Sequence, residues 1–574
     1  MNIFEEYLNL IKKLILKNQK NLKLKNINEF KGVVVEIPPP NFDCDLSSNV
    51  CLILGKGNKI DPKNLAKQIE DLMKKYIEEF EIIEVAGPGF LNIKLSNKAL
   101  VKNINKILEN KEIYGKKNSN NSYNIEFVSA NPTGPMHVGH CRGAIYGDVL
   151  ANLLKFNGNK VTKEYYINDY GNQILNFTKS VFLRIREIKY TEKFVPNKNL
   201  YPGKYIIQIS EKIINSHKNE KFNNFEDSFE LLKKESLKHS MNLIKSDLKK
   251  LGIEHNNFFS ESELVKNKLV DKAVDKLKKQ NYVSYGYLQP PKGETDTDWK
   301  KTKRLIFKSS KFGDDADRAI QKNDGSWTYF ANDIAYHMNK VERKYDYLIN
   351  VLGADHTGYK KRIEAAVSAL SENKVRLNCK VCQLVKLFKN GKPFKMSKRA
   401  GEFISANELL NEVDKDSLRF MMLNRSNDVE LDFDFTKVLE KNKDNPVYYV
   451  QYSFARISSV FRSINIINTK KNLIKSDEFK VNDFEKKIIK KIFEWPKIVE
   501  AASNKYEPHR IPYYLYELAT LFHSYWSKGN EDHNYKILEN GKIKNPATLT
   551  TLILISIVLQ RGMNILGVSL PEKM

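Results

Sequence analysis

Glu126-Phe127-Val128-Ser129-Ala130-Asn131-Pro132-Thr133-Gly134-Pro135-Met136-His137-Val138-Gly139-His140 holds a strand end, a breaker and a helix start in one short run. The apolar residues of Ile125-Glu126-Phe127-Val128 predict a short buried strand, and Asn131-Pro132-Thr133-Gly134-Pro135 ends it. From about Gly139 a helix follows, with Ile145, Val149 and Leu153 on one face and Gly158 just past its end. Residues 161–167 read as the next strand. Strand, loop, helix and strand in this order make a βαβ unit, which implies a parallel sheet with a ligand crevice at the carboxyl ends of its strands. His137 and His140 fall at the helix N-terminus, where Gly139 lets backbone come close, so the site suits a polyphosphate.

Outward from this unit the chain changes character twice. Residues 33–37 read as a short strand closed by Pro38-Pro39-Pro40. Asp61-Pro62 caps a helix whose Leu65, Ile69, Leu72, Met73, Tyr76 and Phe80 recur at helical spacing. Leu91, Ile93 and Leu95 alternate with Asn92 and Lys94, as in a half-buried strand. The run Lys116-Lys117-Asn118-Ser119-Asn120-Asn121-Ser122 carries no apolar residue and reads as a linker. Residues 205–280 are lysine-rich and largely helical in period, an insertion. Tyr347-Leu348-Ile349-Asn350-Val351-Leu352 reads as a fully buried strand of the returning half of the sheet. Beyond about residue 411 the chain is mostly helical. The expected domains are an N-terminal α+β domain over 1–118, a parallel-sheet α/β domain over 119–410 with a helical insertion at about 175–300, and an all-α domain over 411–574.

Composition narrows the class. The chain has 574 residues, with 41% hydrophobic and 11% aromatic side chains, enough for several cores and too much for a disordered protein. Lys and Arg number 95 against 69 Asp and Glu, a net charge of +26 that favours an anionic partner. The N-terminus Met1-Asn2-Ile3-Phe4-Glu5-Glu6 has no signal-peptide pattern, and the apolar run at residues 552–559 is too short to span a bilayer. Five cysteines fit a reducing compartment without a disulfide framework, so a cytoplasmic protein is expected. Cys379-Lys380-Val381-Cys382 has no second pair at finger spacing, so no metal held by protein side chains is expected. No GxxxxGK(S/T) phosphate loop occurs, and Asn92 stands where the run from Gly87 would need the third glycine of a dinucleotide fingerprint.

A second motif is Lys395-Met396-Ser397-Lys398, flanked by Gly391 and Gly401. Two ammonium groups on such a loop can close on phosphates and neutralise charge that builds up at an α-phosphorus. Alone, either motif is more often a loop cap or a solvated surface. Together and in this order they resemble the two signatures of class I aminoacyl-tRNA synthetases. The quoted run, Glu164-Tyr165-Tyr166-Ile167-Asn168-Asp169, Gly171-Asn172-Gln173, Trp327 through His337 and Gly353-Ala354-Asp355-His356 are similar to arginyl-tRNA synthetase, nearly end to end. Asp416-Ser417-Leu418-Arg419 resembles the DALR signature of that family's anticodon-binding domain, with Ser417 in place of alanine.

The resemblance implies a Rossmann-type catalytic domain and a ligase that joins arginine to tRNA(Arg) with ATP and Mg2+, acting as a monomer. Its ATP site is implied at Pro135, His137, Gly139, His140, Lys395, Met396, Ser397 and Lys398. His137, His140, Lys395 and Lys398 are the residues implied to act on the transition state. Glu126, Ser129, Asn131, His137, Tyr329 and Asp333 match the family's arginine pocket, where carboxylates would meet the planar fork of a guanidinium. Phe90 and Asn92 match positions used against tRNA. Tyr448, Tyr452 and Arg456, four residues apart on one helical face, make a stripe able to stack on unpaired bases or to rim a bundle core, and Met574 closes the matching C-terminus. Two other classes share parts of this pattern: another class I synthetase, and a nucleic-acid-binding protein on an inactive scaffold.

Overall fold

The alternation of apolar runs and breakers from Ser122 onward builds a five-stranded sheet, parallel throughout, in the computed structural model. The structure describes residues 2–27, 30–39, 41–288, 302–394, 404–465, 474–475 and 479–574. In chain order the strands are β1 (Ser122–Glu126), β2 (Lys160–Ile167), β3 (Asn257–Ser260), β4 (Tyr347–Gly353) and β5 (Arg376–Cys382). Across the sheet they lie β5-β4-β1-β2-β3, so the strand order reverses at β1. A crevice opens at the carboxyl ends of β1 and β4, where Glu126 faces Asn350 in register.

Helices α1 (Val138–Phe156), α4 (Tyr329–Glu342) and α5 (Lys360–Ser371) flank this sheet, while α2 (Asn172–Tyr190) belongs to the insertion and α3 (Phe225–Lys250) runs from the insertion into the main core. Side-chain caps set several starts, with Asn224 accepting from Glu226 N before α3 and Thr328 from Ala331 N before α4. The helical region expected at 205–280 is interrupted. β3 lies inside it and joins the main sheet beside β2, so the insertion helices sit between two strands of one sheet. The run at residues 257–260 is too short for its period to be read locally.

The first residues form an antiparallel sheet in the order Val35–Glu36, Leu46–Ser48, Phe90–Leu95, Phe80–Ala86, backed by helices Ile3–Lys17, Pro62–Tyr76 and Asn97–Glu109. Of the helical stripe, Leu65, Ile69 and Met73 are buried, whereas Tyr76 is exposed and Phe80 starts a strand. The polar run after Gly115 has no regular structure but is tied down, with Ser119 N donating to Asn157 O at 3.0 Å and Lys117 paired with Glu500.

The last part contains α6 (Lys415–Met422), α7 (Pro446–Ser463) and α8 (Pro546–Leu566), along with Asp483–Lys505 and Arg510–Glu531. Helix α8 is long and apolar enough to cross a bilayer, unlike the short run read from the sequence. It is nevertheless a core helix, with Leu552, Ile555, Val558 and Leu559 buried inside the bundle. One apolar core runs continuously through N-terminal, parallel-sheet and helical parts. The insertion has its own core around Phe177, Ile185, Ile206 and Leu232.

Candidate active site

At the end of β1 the backbone takes a rare course. Val128 and Ser129 have φ of 71° and 39°, in the left-handed region that a β-branched residue seldom occupies. The turn aims Ser129 Oγ back into the crevice, where it donates to Glu126 Oε1 at 3.1 Å and accepts from Tyr166 N at 3.1 Å. The turn holds Ser129 and Glu126 in a fixed relation.

The histidines cap α1. His137 Nδ1 accepts from Gly139 N at 3.1 Å and His140 Nδ1 accepts from His137 N at 3.2 Å, with the two rings stacked 3.7 Å apart. An Nδ1 that accepts leaves the proton of a neutral ring on Nε2. Burial lowers both pKa values, that of His140 to about 3 with help from its neighbour. The pair is therefore neutral near pH 7 and presents N–H groups at a helix N-terminus, not cations. Gly139 serves the ring rather than only an approaching ligand, because a Cβ there would lie 2.9 Å from His137 Cε1. Gly139→Ala should displace the His137 ring and, if that ring acts as the resemblance implies, lower the rate of amino-acid activation by roughly tenfold or more (~10-fold per 1.4 kcal/mol). An exchange rate equal to wild type would show that the ring position does not matter.

Lys395, Met396, Ser397 and Lys398 lie outside the described residues, but both approaches to them are fixed. On one side, Val138 N donates to Ile404 O at 2.9 Å and Ala406 N to Met136 O at 2.8 Å, pairing the two motif regions through backbone. On the other, the strand Val385–Lys389 runs parallel to Leu431–Asp434. Arg142 of α1, fully buried, donates to Gln383 O, Val429 O and Ser426 O at 2.9, 2.7 and 2.8 Å. The described residues before and after positions 395–403 are thus tied to the helix that carries the histidines.

Acidic groups gather on the opposite wall. Asp333 of α4 is half-buried and accepts from Tyr359 Oη at 2.6 Å. Burial pushes its carboxyl up to about 7, with Glu126 and Glu261 adding repulsion against the Tyr359 hydrogen bond. Tyr329 opens the same helix one turn earlier and is 71% exposed at the rim, so it is not a core tyrosine. Glu126 is less open than the resemblance implied. Its Oε2 is 2.5 Å from the fully buried Lys340 ammonium, so its charge is already matched inside the protein. Neighbouring Glu164 is buried with Arg343 (2.5 and 2.8 Å), Tyr336, Asn124 and Asn257. Burial opposes its ionisation, yet the Arg343 and Lys340 cations hold it at about 2. Asn131 is exposed, donating to Gln173 Oε1 at 2.8 Å and accepting from Asn168 at 3.3 Å. Pro135 lines the turn before the histidines, half-buried.

Sequence reading missed Lys340, Glu164, Tyr359 and Glu261. A signal existed for the first, since Asp333, His337 and Lys340 stand at i, i+4 and i+7 and so share one helical face. Glu261 has none, because β3 delivers it.

The outlying positions divide. Tyr448 and Tyr452 stack 5.6 Å apart on α7, and the Arg456 guanidinium lies 4.3 Å from the Tyr452 ring and 5.1 Å from that of Trp526, a half-buried aromatic and basic face. Phe90 is 36% exposed and Met574 55%. Asn92 is not on a surface: it is 2% exposed, because Leu91, Asn92 and Ile93 are all buried and both faces of this central strand are covered. Cys379 and Cys382 are buried free thiols on β5.

A parallel sheet whose switch point brings a histidine-capped helix against the roots of a lysine segment has the architecture of a class I aminoacyl-tRNA synthetase. The sequence model for "tRNA synthetases class I (R), catalytic domain" matches residues 103–459, that for "Arginyl tRNA synthetase N terminal domain" residues 9–95, and that for "DALR anticodon binding domain" residues 450–574. An arginine–tRNA ligase of Pelagibacter ubique is 55% identical over 578 residues, and one of Ruegeria pomeroyi 40% over 585, each covering the whole of both chains. The arginyl-tRNA synthetase structure of Thermus thermophilus shares the fold at a TM-score of 0.70 and 19% identity, over 97% of this chain and 100% of that one. The chain belongs to the arginyl-tRNA synthetase family.

Proposed function

We propose that this crevice activates arginine and passes it to tRNA with the groups just described. The chain is an arginine–tRNA ligase: it joins L-arginine to ATP as arginyl-adenylate, releasing pyrophosphate, and transfers the arginyl group to the 3′-terminal adenosine of tRNA(Arg), releasing AMP. In the first step an arginine carboxylate oxygen attacks the α-phosphorus in line as the bond to pyrophosphate breaks. The ribose hydroxyl then attacks the arginyl carbonyl, and AMP leaves with the electron pair. Neither step uses a protein nucleophile, so positioning and charge stabilisation supply the rate.

In this reading His137 and His140 donate N–H to the phosphates at the start of α1, beside Pro135 and Gly139. Lys395 and Lys398, with Met396 and Ser397, meet the leaving pyrophosphate. Asp333 accepts from the guanidinium, Tyr329 walls its stem, and Ser129, Asn131 and Glu126 shape the rest. Among the described residues no three His, Cys, Asp or Glu side chains converge on a metal position. Mg2+ is proposed as an ion carried on the ATP phosphates. The proposal assigns 1–118 and 411–574 to tRNA contact, through Phe90 and through Tyr448, Tyr452, Arg456 and Met574. It places catalysis in 119–410 of a cytoplasmic monomer, in keeping with five reduced, buried cysteines.

Asp333 carries this reading, as a crevice carboxylate with no ion-pair partner among the described residues and a raised pKa. A guanidinium offers two parallel donors and a charge, both of which it lacks. Asp333→Asn keeps the volume but turns an acceptor into a donor aimed at the substrate's own donors. The expected loss in kcat/KM for arginine is on the order of tenfold to several hundredfold, with the KM for ATP unchanged. The pH dependence has a definite sign. Arginine stays protonated, and only the ionised carboxylate pairs with it, so wild-type KM for arginine should rise roughly tenfold per unit as pH falls below about 7. Above that pH it should be flat, and in Asp333→Asn this dependence should vanish. Arginine titration of the charging reaction from acid to alkaline pH is the test. A folded Asp333→Asn enzyme with the wild-type profile would make Asp333 structural.

A further inference from the structure

The span 131–135 between β1 and α1 has little means of holding its own shape. Pro132 and Pro135 carry no N–H, which leaves fewer backbone donors for a local turn. Inside the span, Thr133 N donates to Asn131 O at 2.8 Å. Its two ends are anchored from outside. Tyr165 Oη of β2 donates to Ala130 O at 2.8 Å. At the other end the fully buried Met136 donates its N–H to Asp247 Oδ2 of α3 at 3.2 Å and accepts from Ala406 N at 2.8 Å.

The middle of the span is held by the insertion. Tyr205, on the helix Lys204–Ser216, donates its hydroxyl to Thr133 O at 2.9 Å. Gln173, at the start of α2, accepts from Asn131 Nδ2 at 2.8 Å. The two contacts differ in kind. That of Gln173 is exposed, whereas the Tyr205 ring packs on the insertion core that includes Phe177, Ile206 and Ile209. Tyr205 therefore has its ring in one core and its hydroxyl on the span that borders the crevice.

The same ring explains Gly134. This glycine does not have a positive φ, so its backbone conformation is one that other residues adopt. A Cβ there would lie 3.0 Å from both Cζ and Oη of Tyr205. Glycine at this position lets the tyrosine close on the span.

We propose that Tyr205 is a positioning residue for the activation step: reaching from the insertion to the midpoint of the span 131–135, it sets the arginine side of the crevice at Asn131 against the ATP side at Pro135. This rests on the roles given to Asn131 and Pro135 above. In-line attack on the α-phosphorus depends on how the two substrates stand to one another, so a shift of the span costs rate more than affinity. Tyr205 touches neither substrate in this reading and acts only through Thr133 and Gly134.

Tyr205→Phe keeps the ring on the insertion core and removes the bond to Thr133 O. The rate of arginyl-adenylate formation in single turnover, with tRNA present, should fall roughly threefold to tenfold, while KM for arginine and for ATP and the thermal midpoint stay near wild type. Gly134→Ala reaches the same bond from the other side, because its methyl pushes the tyrosine hydroxyl off Thr133 O. It should give a similar fall in rate, and it carries the test alone if the phenylalanine variant does not fold. Combined, the two changes should cost less than the product of their separate effects, since the bond can be lost only once. A wild-type rate in both single variants, a loss confined to KM, or effects that multiply in full would overturn the role of Tyr205. An unaltered enzyme that formed no arginyl-adenylate would overturn the reading of the site, and the positioning role with it.

Discussion

Lys398→Ala lowers the rate of arginine activation by roughly a hundredfold or more while ATP binding changes little. The expectation comes from what surrounds the segment. Arg142 locks Gln383, Ser426 and Val429 to α1, and Val138 and Ala406 lock the return of the chain to the same helix. The described chain on both sides of residues 395–403 is thereby held to the helix that carries His137 and His140. Those histidines are neutral near pH 7, so the positive charge for a departing pyrophosphate has to come from elsewhere. Lys395 and Lys398 are the cations the motif offers. A positioned charge of this kind contributes about 2.7–4 kcal/mol to a transition state, and that energy is absent from the ground state, so kcat falls and KM for ATP does not. Single-turnover formation of arginyl-adenylate measures it. Normal activation in Lys398→Ala would remove the lysine segment from the mechanism.

Arg419→Ala destabilises the joint between catalytic and helical parts by about 3–5 kcal/mol, the scale for removing one member of a buried ion pair. Arg419 lies in α6 and is 1% exposed. Its Nη2 is 2.5 Å from Asp148 Oδ2 on α1, while Nε donates to Leu566 O at 2.8 Å and Nη1 to Leu251 O at 2.9 Å. One guanidinium thus ties together the helix of the histidines, the end of α3's turn and the end of α8. Asp148 also meets Lys163 at 2.5 Å, so the alanine variant leaves one cation on the carboxylate but two carbonyls without donors. Gly567 is bound to this arrangement twice over: its φ is 66°, and a Cβ there would sit 2.5 Å from Arg419 Nη2. Thermal unfolding and limited proteolysis should show a lowered first transition. Arg419→Lys should recover little, because an ammonium cannot reach three acceptors in one plane. An unfolding profile like that of wild type would show that the signature arginine does not hold the parts together.

The signature residues themselves were legible as letters but not as roles. Asp416-Ser417-Leu418-Arg419 resembles a sequence associated with anticodon binding, yet Asp416 accepts from Ser569 N at 3.1 Å and Arg419 is buried, so both grip the chain's own C-terminal region. Asn92 shows the same limit. An alternating strand implies one solvated face, and the inference fails where both faces are packed.

What the sequence by itself determined is local: β1, the breaker, α1 and β2, the histidines at the helix start, the Asp61-Pro62 helix start, and the buried strand β4. Each of these depends on residues within a turn or two of one another, through caps, i to i+4 spacing and alternation. Only the tertiary structure decided that Lys340 neutralises Glu126 across 214 residues, that β3 emerges from a lysine-rich stretch to place Glu261 behind Asn332, and that Asp333 is left as the open carboxylate. Charge compensation depends on which groups packing brings within a few ångströms and removes from water. No spacing along the chain encodes that for partners on separate strands and helices.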